Sequence, residues 1–328
     1  MKYRTLIFYI CLILPLIGKA QILKDSTINT IAYWNMGEKY KYSYQTNEYT
    51  VEGNDTIWGD TSEEEFVLEV VDSTATGYVL KYQTLKSKHD MKDKEAQKIL
   101  EPLMQKYMDV PLYIATNEYG TFQDLAYWDK TQAVVDTMIS EVLDTFKAHW
   151  AQEGLTEGIE EAEKKQIEAI LENMSATMKS KQMTLAGASY LTDLLYFHGT
   201  HMSQNHEYTG TQQSKSPWTT DELIDVETTA QIHRVEYDNS WVTYYRTQRY
   251  DAGQLLEGFM RQMQKSLPPE QVQELTPEDI PFVMIETFLD LDVHTNTGWP
   301  GAAFFKKVSQ VGQRQQVKTW YVEMIFDE

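Results

Sequence analysis

The sequence predicts an α+β protein in which a helical segment is inserted into a curved, mainly antiparallel sheet. Near both ends of the chain, residues alternate between apolar and polar with a period of two, which is typical of β-strands. Between residues 129 and 198 the apolar residues recur at helical spacing instead. The predicted organisation is a signal peptide at 1–20, a β-rich half at 21–127, a helical insertion at 128–199 and a second β-rich half at 200–328.

The first twenty residues have the pattern of a secretory signal. Lys2 and Arg4 precede an apolar stretch at 6–17, and the small residues of Gly18-Lys19-Ala20 suit a signal peptidase. Cleavage would leave Gln21 as the new N-terminus. We therefore expect a periplasmic or secreted protein, with an uncleaved anchor as the alternative.

Composition excludes several classes of function. The 328 residues include 29 Lys and Arg against 49 Asp and Glu, a formal net charge of -20, which argues against a nucleic-acid partner or an anionic membrane surface. Cys11 is the only cysteine and lies inside the signal, so the sequence predicts no disulfide scaffold and no thiol chemistry. No later stretch is long enough to span a membrane. No nucleotide, phosphate or zinc-protease motif is present, and we expect no cofactor.

The first β-rich half is predicted to contain five strands and one helix. The strands are expected at 38–51, 65–72, 78–86, 111–116 and 122–127, with a turn at Asn117–Gly120 between the last two. The helix is expected at 92–107, with a break or restart at Pro102. The glutamate runs at 63–65 and 160–163 are interpreted as solvated faces.

The helical middle is predicted to hold three helices. Asp129 is expected to cap the first, whose apolar stripe runs from Val135 to Trp150. The second extends from Ile159 to Met178, and the third, at 185–197, ends before Gly199 as its C-cap. Because each apolar stripe needs a partner surface, these helices are expected to pack on one another and on the sheet.

The second β-rich half repeats the order of the first. Strands are expected at 223–237, 241–250, 282–294, 303–311 and 314–326, with a helix at 252–266 and an irregular proline-containing connection at 268–281. Residues 78–84 align with 241–247, and the turn at Asn117–Gly120 aligns with Asn296–Gly298. A duplicated half-barrel is therefore a hypothesis, which a different strand order in the two halves would reject. Chance similarity between amphipathic hairpins is the alternative.

Aromatic residues on alternating strand positions provide the predicted ligand site. Tyr40, Tyr42 and Tyr44 share one face of the first strand, and Trp320 lies on the last. A curved sheet lined in this way could enclose an apolar ligand, aided by the methionines between Met174 and Met202. The alternative is a core packed against the middle helices.

Two polar groups are weaker candidates for a site. His198, His201 and His206 could bind a metal with Glu207 as a fourth ligand, although polar residues leading into a strand explain them as well.

The second group is a polar row on one face of a strand, which could suit calcium or acid–base chemistry. It consists of Glu286, Asp290, Asp292 and His294. Phe288 interrupts this row, and a solvated sheet face is the alternative.

Two segments carry a resemblance to known proteins. Met36-Gly37-Glu38-Lys39-Tyr40-Lys41-Tyr42 and Thr297-Gly298-Trp299-Pro300 resemble segments of secreted envelope proteins of unknown function. The β-rich parts are also similar in pattern to the curved sheets of lipoprotein carriers and lipocalins, whereas residues 129–198 are not. The resemblance implies a protein that binds an apolar small molecule or an envelope protein rather than an enzyme. A metal-dependent hydrolase using the three histidines and a structural or assembly protein of the envelope are the alternatives.

Overall fold

The computed structural model describes residues 26–152, 154, 161–216, 222–266 and 282–326. The predicted signal peptide and the proline-containing connection at 268–281 lie outside the described residues. The predicted start of the second middle helix, at Ile159, also lies outside them.

The described residues form thirteen strands and six helices. The strands are β1 (Thr27–Asn29), β2 (Lys39–Glu52), β3 (Asp55–Thr74), β4 (Gly77–Asp90), β5 (Leu112–Asn117), β6 (Phe122–Leu125), β7 (His201–Ser203), β8 (Tyr208–Lys215), β9 (Leu223–Glu236), β10 (Trp241–Tyr250), β11 (Val283–His294), β12 (Pro300–Val311) and β13 (Arg314–Ile325). The helices are α1 (Lys94–Tyr107), α2 (Trp128–Gln152), α3 (Glu161–Met178), α4 (Lys181–Gly187), α5 (Ser189–Leu194) and α6 (Ala252–Ser266).

Eleven of these strands form one curved, open sheet. Their order is β6-β5-β4-β3-β2-β13-β12-β11-β10-β9-β8, and each pairing is antiparallel. The edge strands β6 and β8 flank the helical segment α2–α5 in the chain, while β1 and β7 pair separately. The predicted α+β class with an antiparallel sheet is confirmed.

The core lies on one face of the sheet, which we call the inner face. Tyr42 and Phe66 are fully buried there, directly opposite each other on β2 and β3. Helix α5 covers this region with Tyr190 and Leu194. Strand β11 shows why the sequence alternates, because its odd-numbered residues from Val283 to Val293 are all buried on the inner face. The opposite, outer face carries most of the charge of this strand.

A smaller apolar cluster lies elsewhere on the inner face, under α6. Leu255 of this helix packs against strand residues of β9 and β11. The buried members of this cluster are Ile224, Leu255, Val283 and Ile285. The inner face therefore carries two apolar patches of different size.

Several local predictions were wrong. Helix α1 continues through Pro102 instead of breaking there. A proline has no N–H to donate to the carbonyl four residues earlier, which is that of Lys98. Both residues are exposed, so water can hydrate this carbonyl. Helix α2 begins at Trp128, so Asp129 lies in its first turn rather than at the cap. The predicted helix at 185–197 is split into α4 and α5, and Ser180 caps α4 by accepting a hydrogen bond from the Met183 N–H at 3.2 Å.

The two β-rich halves share one strand order. Strands β2 to β6 and β8 to β12 each run consecutively across the sheet, with a helix between the third and fourth strand in both. This order meets the condition on which the duplication hypothesis depends.

The predicted alignment of the halves is shifted by one residue. Asn117 pairs with Gly77 at the turn after β5, and His294 pairs with Trp241 at the turn after β11. These pairs make Gly77 equivalent to Trp241, whereas the sequence alignment matched Tyr78 with Trp241. The shifted alignment matches inner-face residues with inner-face residues, as required by the period of two.

The same two turns hold the segment at 30–34, which we call the N-terminal strap. The Ala32 N–H donates to the Tyr119 carbonyl at 2.9 Å, and the Tyr33 N–H donates to the Thr297 carbonyl at 3.0 Å. Each of these carbonyls precedes a glycine with positive φ, Gly120 (89°) or Gly298 (75°). The strap therefore joins the two halves of the sheet at one end.

Replacing Gly298 with Ala should destabilise the protein by at least about 2 kcal/mol. An added Cβ would lie 2.8 Å from the Ala32 Cα of the strap, and the positive φ disfavours any other residue. Gly187→Ala is the control, because a Cβ at Gly187 meets nothing within 4 Å. Urea unfolding of both variants measures the difference, and equal free energies of unfolding would contradict the role of the strap.

Candidate functional site

Two of the four predicted ligand residues are part of the packed core. The Tyr42 ring stacks on Phe66 with centroids 5.2 Å apart, and its hydroxyl donates to the Pro300 carbonyl at 3.0 Å. Trp320 is buried and stacks on Phe305, also at 5.2 Å. Tyr42 and Trp320 therefore fit the alternative prediction for this face, which is a core packed against the middle helices.

The other two predicted residues remain partly open. Tyr44 stacks on Tyr190 of α5 at 4.4 Å, whereas Tyr40 lies near the start of β2, with its hydroxyl 3.4 Å from Glu38 Oε1. Alternation in the sequence placed the three tyrosines on one face. It could not show that α5 would cover only part of that face.

A chain of hydrogen bonds connects α5 to the sheet. The Tyr190 hydroxyl donates to the Tyr82 hydroxyl at 2.8 Å, and Tyr82 donates to the Glu64 carboxylate. Thr84 Oγ1 donates to the same oxygen of Glu64 at 2.8 Å. Burial raises the pKa of Glu64 to about 7, although the Thr84 hydrogen bond acts in the opposite direction.

Glu64 corrects one prediction from the sequence. The glutamate run at 63–65 does not form a solvated face throughout, because Glu64 is in phase with the buried Phe66 and Leu68. The period-two spacing of Glu64 with Phe66 and Leu68 was the feature of the sequence that could have shown its inward position. A glutamate between two outward-facing glutamates on a strand points inward.

An aromatic groove lies where several strands end, and we call it the end groove. It encloses about 280 Å³ and is lined by Tyr40, Trp241, His294, Thr297, Trp299, Met324 and Phe326. Trp299 is buried, and its Nε1 donates to Glu38 Oε1 at 2.8 Å. Its ring lies 5.0 Å from that of Tyr40, which fixes both rings in the groove.

The other wall of the end groove depends on a glycine. A Cβ at Gly301 would lie 2.5 Å from Cη2 of Trp241, so only glycine permits this position of the indole ring. His294 packs 5.0 Å from Trp241, and its Nδ1 is 2.9 Å from Thr297 Oγ1. Burial lowers the pKa of His294, which favours the neutral imidazole. Phe326 is 68% exposed and leaves an apolar ring open to solvent.

A second cavity of about 220 Å³ shares Trp241, Met324 and Phe326 with the end groove. Its remaining lining is polar or small: Arg234, Glu236, Asp292, Gly301, Ala302 and Glu323. Arg234 pairs with Glu236 at 3.3 Å, and Asp292 accepts a hydrogen bond from Thr243 at 2.5 Å. The combined site is therefore aromatic at one end and acidic at the other.

The three predicted metal-binding histidines do not come together. His198 is buried, and its Nε2 donates to the Gly298 carbonyl at 2.6 Å; burial lowers its pKa to about 4. His201 is exposed and contacts Asn29 across the β1–β7 pair, and His206 packs on Tyr208. Within the described ranges, no group of three or more His, Cys, Asp or Glu side chains is arranged to hold a metal ion.

The acidic row on β11 lies on the outer face, as its alternation predicts. Glu286 pairs with Arg249 at 2.6 Å, and Asp290 Oδ1 is 3.7 Å from His233 Nδ1. Asp292 and His294, at the end of the row, contribute instead to the acidic cavity and the end groove. The first two acidic residues of the row therefore form ion pairs on the sheet surface, and the last two residues line the candidate site.

The methionines between Met174 and Met202 differ in exposure. Met202 of β7 is buried, whereas Met174 on α3 and Met183 on α4 are nearly half exposed. Ile167 and Ile170 share the exposed side of α3. For the residues that the structure describes, no helix combines the length and apolarity needed to cross a membrane.

Comparisons with known proteins show no family. No protein-family model matches the chain, and no curated protein matches it. A solved structure of lipovitellin, concerned with lipid–protein interactions, is similar at 9% identity and a TM-score of 0.40. The match covers 89% of this chain and 25% of the lipovitellin chain, so this chain spans about a quarter of that length. A likeness at this level does not support an argument about function.

Glu64→Gln should change how stability depends on pH. Because the folded-state pKa of Glu64 is raised to about 7, the folded protein keeps this proton where the unfolded chain has lost it. The free energy of unfolding of the native protein, relative to the variant, should therefore fall as the pH rises from about 4.5 to 7. Urea unfolding across this range measures the difference.

His198 acts in the opposite sense, because its lowered pKa costs stability as the pH falls below about 6.5. This contribution is common to both proteins and cancels in the comparison. A difference that does not vary with pH would contradict the raised pKa of Glu64.

Proposed function

We propose that the protein is an exported, non-catalytic binding protein for a small apolar ligand held in the end groove. The observation that carries this proposal is the aromatic lining of that groove, in which Trp241, Trp299 and Tyr40 surround about 280 Å³. Export rests on the pattern of the first twenty residues, namely Lys2 and Arg4 before the apolar stretch at 6–17.

The lining favours a ring or a short apolar chain. Aromatic side chains bind apolar groups through large contact areas and ring stacking, and Phe326 would lose exposed apolar surface when a ligand binds. The volume is slightly below the range of about 300–1,000 Å³ that is usual for drug-sized ligands. The groove therefore suits one small apolar group rather than a whole lipid.

The neighbouring acidic cavity limits the charge of the ligand. Arg234 is paired with Glu236, which leaves the carboxylates of Asp292 and Glu323 without a matching cation in the lining. A ligand that extends from the groove into this cavity should carry a neutral or cationic polar group, because an anion would be repelled.

The neutral fluorescent probe N-phenyl-1-naphthylamine tests the end groove. Trp241→Ala should weaken its binding about fivefold to tenfold, because the variant removes one wall of stacked aromatic surface. Trp58→Ala is the matched control, since Trp58 is 64% exposed on β3 and lies outside the groove lining. Fluorescence titration gives the dissociation constants.

Gly301→Ala extends this test without removing the indole. The added methyl group should displace the Trp241 ring and weaken probe binding in the same direction. Equal affinities for the native protein, both groove variants and the Trp58 control would reject the end groove as the site.

Export has its own test. Expression of the full chain in a Gram-negative host should yield a periplasmic protein whose N-terminus is Gln21, because Ala20 occupies the last position before cleavage. Intact-mass measurement of the periplasmic fraction checks this result. A cytoplasmic protein that retains residues 1–20 would contradict export.

A further inference from the structure

A row of polar side chains crosses the inner face between its two apolar patches. Lys307 of β12 lies directly opposite Lys318 of β13 on one side and Thr287 of β11 on the other. Thr287 donates to Gln248 of β10 at 3.2 Å, which extends the row to the next strand. Lys307 shares the face of Ala303 and Phe305, because positions two apart on a strand point the same way.

The charges of this row are unbalanced. Lys318 pairs with Glu48 of β2 at 2.8 Å. Lys307 forms no ion pair within the described part of the chain, although the protein has 49 acidic residues. Like charges directly opposite each other on neighbouring strands destabilise a sheet. Among the described residues, Glu48 therefore offsets the charge of Lys318 but no ion pair offsets that of Lys307.

Lys307 is flanked by apolar as well as polar side chains on the inner face. Its position is half-buried, and burial together with the charge of Lys318 lowers its pKa. Phe305 is half-buried two residues before it on the same face. On β11, Ile285 lies two residues before Thr287 on the same face, diagonal to Lys307, and belongs to the small cluster under α6.

Two partly open apolar side chains lie against the small cluster. Tyr250 and Leu256 are partly buried and pack against the small cluster that contains Ile285. A ligand that places an anionic group at Lys307 could therefore lay an apolar chain along Phe305 or toward these two side chains.

We propose that Lys307 binds the carboxylate of a fatty acid whose chain lies on the inner face beside it. A single uncompensated cation matches a monoanion, and the adjoining apolar side chains match an alkyl chain. This second site has the opposite charge preference to the acidic cavity beside the end groove, and it does not depend on the function proposed for that groove.

Calorimetric titration with dodecanoate and dodecan-1-ol tests the assignment at neutral pH. The native protein should bind the acid about tenfold more tightly than the alcohol, because a carboxylate gains a charge-assisted hydrogen bond from Lys307. Lys307→Met, which keeps the apolar stem, should abolish that preference while still binding the alcohol. Lys306→Met, at the adjacent outward-facing position, should retain it.

Other outcomes would overturn the proposal. Equal binding of acid and alcohol by the native protein, or an unchanged preference in Lys307→Met, would reject Lys307 as the anion site. Tighter binding of dodecyl phosphate than of dodecanoate would reject a carboxylate ligand. Trp241→Ala should leave dodecanoate binding unchanged, which separates failure here from failure at the end groove.

Discussion

The pairing of β2 with β13 is the contact on which the sheet depends. In all the remaining neighbouring pairs of the eleven-stranded sheet, the two strands follow one another in the chain. Residues 41–52 pair with 314–325 across more than two hundred intervening residues, and this seam joins the two halves into one sheet. Closing so long a loop costs entropy, which must be offset by the contacts it creates. Tyr42, opposite Met324, is one such buried contact.

The end groove is built on this seam. Tyr40 comes from the start of β2, while Met324 and Phe326 come from the end of β13. Trp299, which packs against Tyr40, and Trp241 of the other wall both belong to the second half of the chain, as do Met324 and Phe326. Because the lining is complete only when both halves have joined, a ligand in the groove should stabilise the seam by binding the folded state selectively.

Local patterns in the sequence predicted the elements that have clear boundaries. Strand β10 and helix α6 have the expected bounds because turn residues at 238–240 and periodic apolar residues define them. Strand β8 was not predicted, since Tyr208–Lys215 is polar and mostly exposed at the sheet edge and has no apolar alternation. The end groove was missed for a different reason: its lining comes from positions as far apart as 40 and 326, and only the strand order brings them together.

The two candidate sites can act separately although they share one sheet. Gly301 beside the end groove and Lys307 on the inner face are six residues apart on β12, which corresponds to about 20 Å along a strand. Screening at physiological ionic strength has a length of about 8 Å, so charges exposed at one site are only weakly felt at the other. The acidic cavity, which disfavours anions, and Lys307, which attracts them, can therefore coexist on one strand. Opposite charge preferences on one sheet are therefore compatible with a strongly acidic protein.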